Sequence, residues 1–243
     1  MRSTRFLIAV FFAVLTFGGV TPGGAAPPTS RDAALSDADV DRRLRFLEKR
    51  LDDSRLHGQI WYWSWMTIDV ASAGGNAYAA YTFDGNHDDR VNAAVNAAES
   101  VIGVVDLLAR PLEARHGADP VSALPEGTRE EKLAKLRAAE DQLERNAERA
   151  RQRWSPVDHA GNAALALAGG LTVGLWGNPT DGVVTGVSTL VGGWLNLLTA
   201  PWQPEEDWED YQSFIGRDAD RSSLDVHVVA LPGGAGATIV YRW

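Results

Sequence analysis

Three carboxylates, Asp69, Glu99 and Asp106, sit where chemistry is most easily imagined. Each lies in a stretch otherwise apolar or small, where a carboxylate is costly unless it is paired or protonated. Facing one another among packed helices, they could share protons or contribute to a di-metal site. A four-carboxylate site would need more acids from the second half of the chain. There the positions matching Glu99 and Asp106 are Val191 and Asn196. The histidines, His57, His87, His116, His159 and His227, form no HExxH or other ligand spacing. His87-Asp88-Asp89 reads as a turn with Asp88 as a helix N-cap. Asp158-His159 reads as an acidic helix start that complements the macrodipole. No GxSxG elbow, phosphate loop or dinucleotide fingerprint occurs. The sequence therefore assigns no catalytic residue, no metal ligand and no cofactor, and a non-enzymatic role is expected.

The elements that hold these acids are apolar helices. Residues 157–202 read as two glycine-rich helices joined by Asn178-Pro179-Thr180-Asp181-Gly182. No charge occurs between Ala160 and Trp176 or between Val183 and Trp202. Gly170 and Gly174, like Gly182 and Gly186, are four apart, a spacing that lets backbones approach closely.

The first half has the same parts. Ser36 to Asp39 reads as a capping box, followed by Val40, Leu44, Leu47 and Leu51 at heptad spacing on a charged helix. The character changes at Gly58, and from Ile60 to Phe83 Asp69 is the only charge. Asp84-Gly85-Asn86 reads as a turn, and a second helix should run through Ala109 to a stop at Pro111. Thr128 to Glu131 is again a capping box, with Leu133, Leu136, Leu143, Ala147, Ala150 and Trp154 as its seam.

The two halves align at an offset of 92 residues, Ser36 with Thr128, Leu44 with Leu136 and Gly85-Asn86 with Gly177-Asn178, and at 90 past a two-residue slip, Asp106 with Asn196. A duplication predicts that Thr128–Trp154 is helical and runs unbroken into the next apolar stretch. The expected fold is mainly α: two tandem helical hairpins packed as an elongated four-helix bundle, with a small C-terminal β-hairpin. The expected organisation is a signal peptide over 1–25, a linker over 26–35 and a first hairpin over 36–117. A linker over 118–127 and a second hairpin over 128–202 follow, then an acidic segment over 203–222 and the β-hairpin over 223–243. Trp208, Tyr211 and Phe214 of the acidic segment should pack a short helix back on the bundle.

Arg2 and Arg5, the apolar run Phe6–Phe17 and the small residues up to Ala25 follow the layout of a secretory signal. No cysteine is present, so stability rests on packing. The net charge of −9 argues against nucleic acid as a partner. Two features favour lipid: small residues four apart, and aromatics at both ends of the apolar stretches. Trp61, Tyr62, Trp63, Trp65, Trp154 and Trp202 mark one end; Tyr78, Tyr81, Phe83 and Trp176 mark the other. Two features favour water: the three acids, and basic residues such as Arg149, Arg151 and Arg153 on the side that export would leave outside the cytoplasm. The expectation is an exported, membrane-associated envelope protein whose coiled halves project for a partner or for self-association. The alternative is a soluble periplasmic bundle, a binding protein or an enzyme, that takes a small apolar ligand or a metal among Asp69, Glu99 and Asp106.

Overall fold

The computed structural model describes residues 35–82, 86–221, 224–231 and 234–241, from 217 onward by backbone alone. The expected signal peptide, most of the linker after it and residues 83–85 lie outside the described residues. The expected β-hairpin falls on the backbone-only part and is carried forward as an expectation.

The protein is mainly helical. Helix α1 spans Asp37–Thr82, 46 residues without a break. It is followed by α2 (His87–Ala109), a 3-10 turn (Glu113–His116) and the short α3 (Asp119–Ser122). Then come α4 (Arg129–Arg153), α5 (Pro156–Trp176), α6 (Pro179–Thr199) and α7 (Gln203–Arg221).

Both capping boxes form. The Ser36 hydroxyl accepts from the Asp39 amide at 3.2 Å, and Asp39 accepts from the Ser36 amide at 3.3 Å. Thr128 and Glu131 satisfy one another in the same way at 3.2 and 2.9 Å. The second helix of each hairpin is capped by asparagine, which corrects the expectation of Asp88. Asn86 accepts from the Asp88 amide at 3.2 Å, and Asn178 from the Thr180 amide at 2.8 Å. An asparagine side chain bonds readily to an amide two residues on, leaving Asp88 to complement the dipole inside the first turn.

The strict duplication fails its own requirement. The second long helix is not continuous: α4 ends at Arg153, and α5 begins with Ser155 as N-cap and Pro156 at its first turn. Proline lacks the amide needed to continue a helix but fits the start of one. Trp154, expected on the buried seam, becomes the C-cap and is 41% exposed. The first hairpin has no proline at the corresponding point, so α1 runs straight through.

The charged half of α1, with α4 and α7, forms a head with an ordinary core. Val40, Leu44, Leu47 and Leu51 are buried with Leu133, Leu136, Ala139 and Leu143, and Tyr211 of α7 completes the cluster. The seams expected to project for association are thus buried within one chain. Phe46 stacks on Phe214 at 4.8 Å between centroids, and Arg50 ties α7 to α1 through Asp207 at 3.0 Å and Asp210 at 2.7 Å.

The apolar half of α1 packs on α2, α2 on α5, and α5 on α6. Where head and apolar helices meet, the 3-10 turn crosses α1 at Gly58. A Cβ there would lie 3.0 Å from the Arg115 backbone nitrogen, so only glycine fits without displacing the turn. Trp61 and Trp65 then tie α1 to the end of α6, donating to the Asn196 carbonyl at 3.0 Å and to the Thr199 hydroxyl at 3.1 Å.

Candidate functional site

The apolar helices bury little. Large hydrophobic side chains stand exposed along all four, among them Tyr81 at 86% and Leu175 at 74%. Their outward faces carry Ile68 and Val70 on α1, Val101, Ile102, Val105 and Leu108 on α2, Leu167 and Leu171 on α5, and Val183, Val187, Val191 and Leu195 on α6. A side chain of this size gains about 1.5–3 kcal/mol when fully buried. Exposed patches of more than a few hundred Å² mark interaction surfaces.

The inward faces combine polar and small residues with a few buried aliphatic side chains, Val91, Leu107, Val173 and Leu197. On α2 the inward row is Asn92, Asn96, Glu99, Gly103 and Asp106, at helical spacings of four and three. Thr185 of α6 donates to Asn92 at 2.9 Å, Asn96 donates to Asn92 at 3.0 Å, and Thr189 donates to Glu99 Oε2 at 2.7 Å. Glu99 Oε1 is buried without a partner and rests against Gly169 of α5. Asp69 of α1 lies on Gly103, where a Cβ would come within 2.6 Å of its carboxylate. Asp106 is held by Arg110 at 2.5 Å. The three acids therefore do not meet at one point: Asp69 faces Gly103 across α1 and α2, Glu99 faces the second hairpin, and Asp106 is ion-paired at the base. Among the described residues, no group of three or more histidine, aspartate and glutamate side chains could hold a metal ion.

Between α5 and α6 the backbones nearly touch. A Cβ on Gly170 would lie 2.8 Å from the Gly182 carbonyl oxygen, and one on Gly182 would lie 2.6 Å from Gly174 Cα. Gly186 approaches the Ala166 carbonyl, and Gly177 ends α5. Asn162 donates to the Leu190 carbonyl at 3.3 Å and rests against Gly193.

The aromatics divide into two sets, which corrects the simple belt. Trp61 and Tyr62 are buried at the base with Leu107, Leu112 and Ala200. The guanidinium of Arg153 lies 4.4 Å from the Trp61 ring centroid, and that of Arg115 3.9 Å from Tyr62. Trp63, Trp154, Trp194 and Trp202 face outward at the head end, and Tyr78, Tyr81 and Trp176 at the far end. His159 stacks on Trp194 at 5.1 Å, and His57 contacts the Thr199 carbonyl at 3.0 Å.

Among the described residues, two stretches are long and apolar enough to cross a membrane, His87–Ala109 and Pro179–Gly216, each with mean hydropathy 1.4 and 17% of its apolar window buried. Comparison with family models, with curated proteins and with solved structures returns no match.

The polar row on α2 is the part of the site that the acids alone did not reveal. Its signal was present in the spacing from 92 to 106, which gives an apolar helix one polar face.

Proposed function

We propose that the protein is an exported cell-envelope protein anchored in a membrane by its two helical hairpins, with a structural or interaction role rather than a catalytic one. The observation that carries this reading is the skewed distribution of side chains: polar and small groups lie inside beside a few aliphatics, while most large apolar groups face outward. Water would reverse that arrangement, whereas hydrocarbon favours it, because lipid solvates Leu and Val while polar groups must find partners within the protein. Length agrees. Helices α5 and α6 have 21 residues each, which at 1.5 Å per residue span about 32 Å. The hydrocarbon core is about 30 Å thick.

In this reading the four apolar segments form the elongated bundle, and the head stands in water on one side. The helix ends at Thr82, Asn86 and Asn178 lie on the other side. Export is supported by Arg2, Arg5 and the run Phe6–Phe17, and the acidic balance argues against nucleic acid as a partner. The unpartnered Glu99 Oε1 favours the alternative, a soluble periplasmic bundle binding an apolar ligand or a metal. Fractionation after an alkaline carbonate wash separates the two. The anchored protein stays in the membrane pellet, and recovery in the supernatant would reject the anchor.

A further inference from the structure

The junction between head and apolar helices gathers three guanidinium groups around two carboxylates. Asp106 Oδ1 accepts from Arg110 Nε at 2.5 Å, and Oδ2 faces Arg153 Nη2 of α4 at 3.9 Å. Arg110 also reaches Asp158 of α5 at 3.2 Å. Arg149, one turn before Arg153 on α4, donates to the Gln152 amide oxygen at 2.9 Å. Glu113, which also acts on Arg149, is taken by Arg145 at 3.3 Å. Arg153 has a side chain only 9% exposed, and its Nε has no partner. Burial, with Arg149 and Arg110 nearby, holds its pKa down at about 10 despite Asp106. Three cations on two anions leave one positive charge uncompensated and partly out of water, in a chain whose net charge is −9. An anion beside these groups would offset their repulsion and favour their charged forms.

We propose that Arg149, with the positive charge of Arg110 and Arg153 beside it, binds the phosphate of an anionic phospholipid headgroup. The inference rests on the membrane reading and adds its partner. Guanidinium forks match phosphate oxygens in number and plane. The source is a lipid rather than free phosphate because Trp154, Trp194 and Trp202 stand exposed at this same end of the apolar helices. Indole rings collect at headgroup level. A phosphate drawn to Arg149 there would have its acyl chains beside the outward faces of α5 and α6.

The test uses the full chain, purified in detergent and reconstituted with vesicles of phosphatidylcholine, with or without phosphatidylglycerol. A basic side chain at the surface strengthens binding to anionic lipid by about fivefold. The wild type should prefer the anionic vesicles by at least that factor. Arg149→Gln should lose about fivefold, and Arg149→Lys should recover part of it. Arg151→Gln is the control, because Arg151 points to Glu205 at 3.1 Å, away from the cluster. Circular dichroism verifies that each variant is folded. Equal binding to both vesicle types would overturn the headgroup site and leave the anchor standing. An equal loss in Arg151→Gln would reduce the site to diffuse charge and overturn it too. Stabilisation of the wild type by inorganic phosphate alone, without any lipid preference, would replace the lipid by a free anion. Failure to enter either vesicle would reject the anchor, and the lipid site with it.

Discussion

Thr189 of α6 donates a 2.7 Å hydrogen bond to Glu99 of α2, joining the two hairpins through a carboxylate whose other oxygen has no partner. The contact lies among small residues and behind outward-facing valines and leucines, so little water competes for it. Removing the donor should therefore cost more than an exposed hydrogen bond would. Thr189→Val keeps the shape and leaves Glu99 unsatisfied; it should destabilise the protein by about 1–3 kcal/mol. Glu99→Gln, which needs no counter-charge, should be tolerated better. Thermal unfolding in detergent ranks them, and a Thr189→Val variant as stable as wild type would show that the carboxylate is solvated.

The α5–α6 crossing should be intolerant of bulk, because Gly170 and Gly182 meet backbone rather than mobile side chains. Gly170→Leu is expected to cost at least about 1–3 kcal/mol by overpacking. Gly75 and Gly192 face open space, where an added Cβ would meet nothing within 4 Å. Gly75→Ala or Gly192→Ala should gain about 0.5–1 kcal/mol, the difference in helix preference. Equal melting temperatures for Gly170→Leu and wild type would show that the crossing is loose.

Asp207 gives the head a pH dependence. Its side chain is 1% exposed. Burial raises its pKa to about 6 although Arg50 opposes the shift, and Asp53 and Asp210 add to it. A carboxylate whose folded pKa exceeds its unfolded value, about 3.9, binds more protons when folded. Its contribution to stability therefore increases as pH falls through 6 and levels off below 4. Compared with Asp207→Asn, the wild type should gain stability between pH 7 and pH 5. Urea midpoints measured at both values test this, and identical shifts for the two proteins would remove Asp207 from the account.

Much of the helical layout was legible in the sequence because it rests on local rules. Ser36 with Asp39, and Thr128 with Glu131, mark helix starts by the reach of one side chain. Leu44, Leu47 and Leu51 mark a buried stripe by spacing. The break at Ser155-Pro156 was also written locally, but the repeat with α1 concealed it. What the sequence withheld was relative placement. Asp106, Arg110, Asp158 and Arg153 meet only because α2, α4 and α5 come together at one junction. The charged seams gave no sign of whether they would face each other or another molecule; Tyr211 of α7 closes them within the chain.

Export and the lysines and arginines of the head make opposite demands on orientation. Cleavage of a signal before residue 26 would leave the head outside the cytoplasm, whereas Lys49, Arg50, Arg149, Arg151 and Arg153 favour retention inside. Protease added to spheroplasts should digest the head if export governs. Protection of the head until the membrane is opened would place it in the cytoplasm.

The anchor is tested most directly by single cysteines, since the chain has none of its own. Introduced at Val183, Val187 and Val191, all outward on α6, a cysteine should resist a water-soluble maleimide in native membranes and react once the protein is denatured. A cysteine at Ala134, exposed on the head, should react at once whenever the head side is accessible, confirming that the reagent is active. Protection along the whole α6 face is the result the account predicts. Prompt labelling of Val183, Val187 and Val191 in native protein would place that face in water and contradict it.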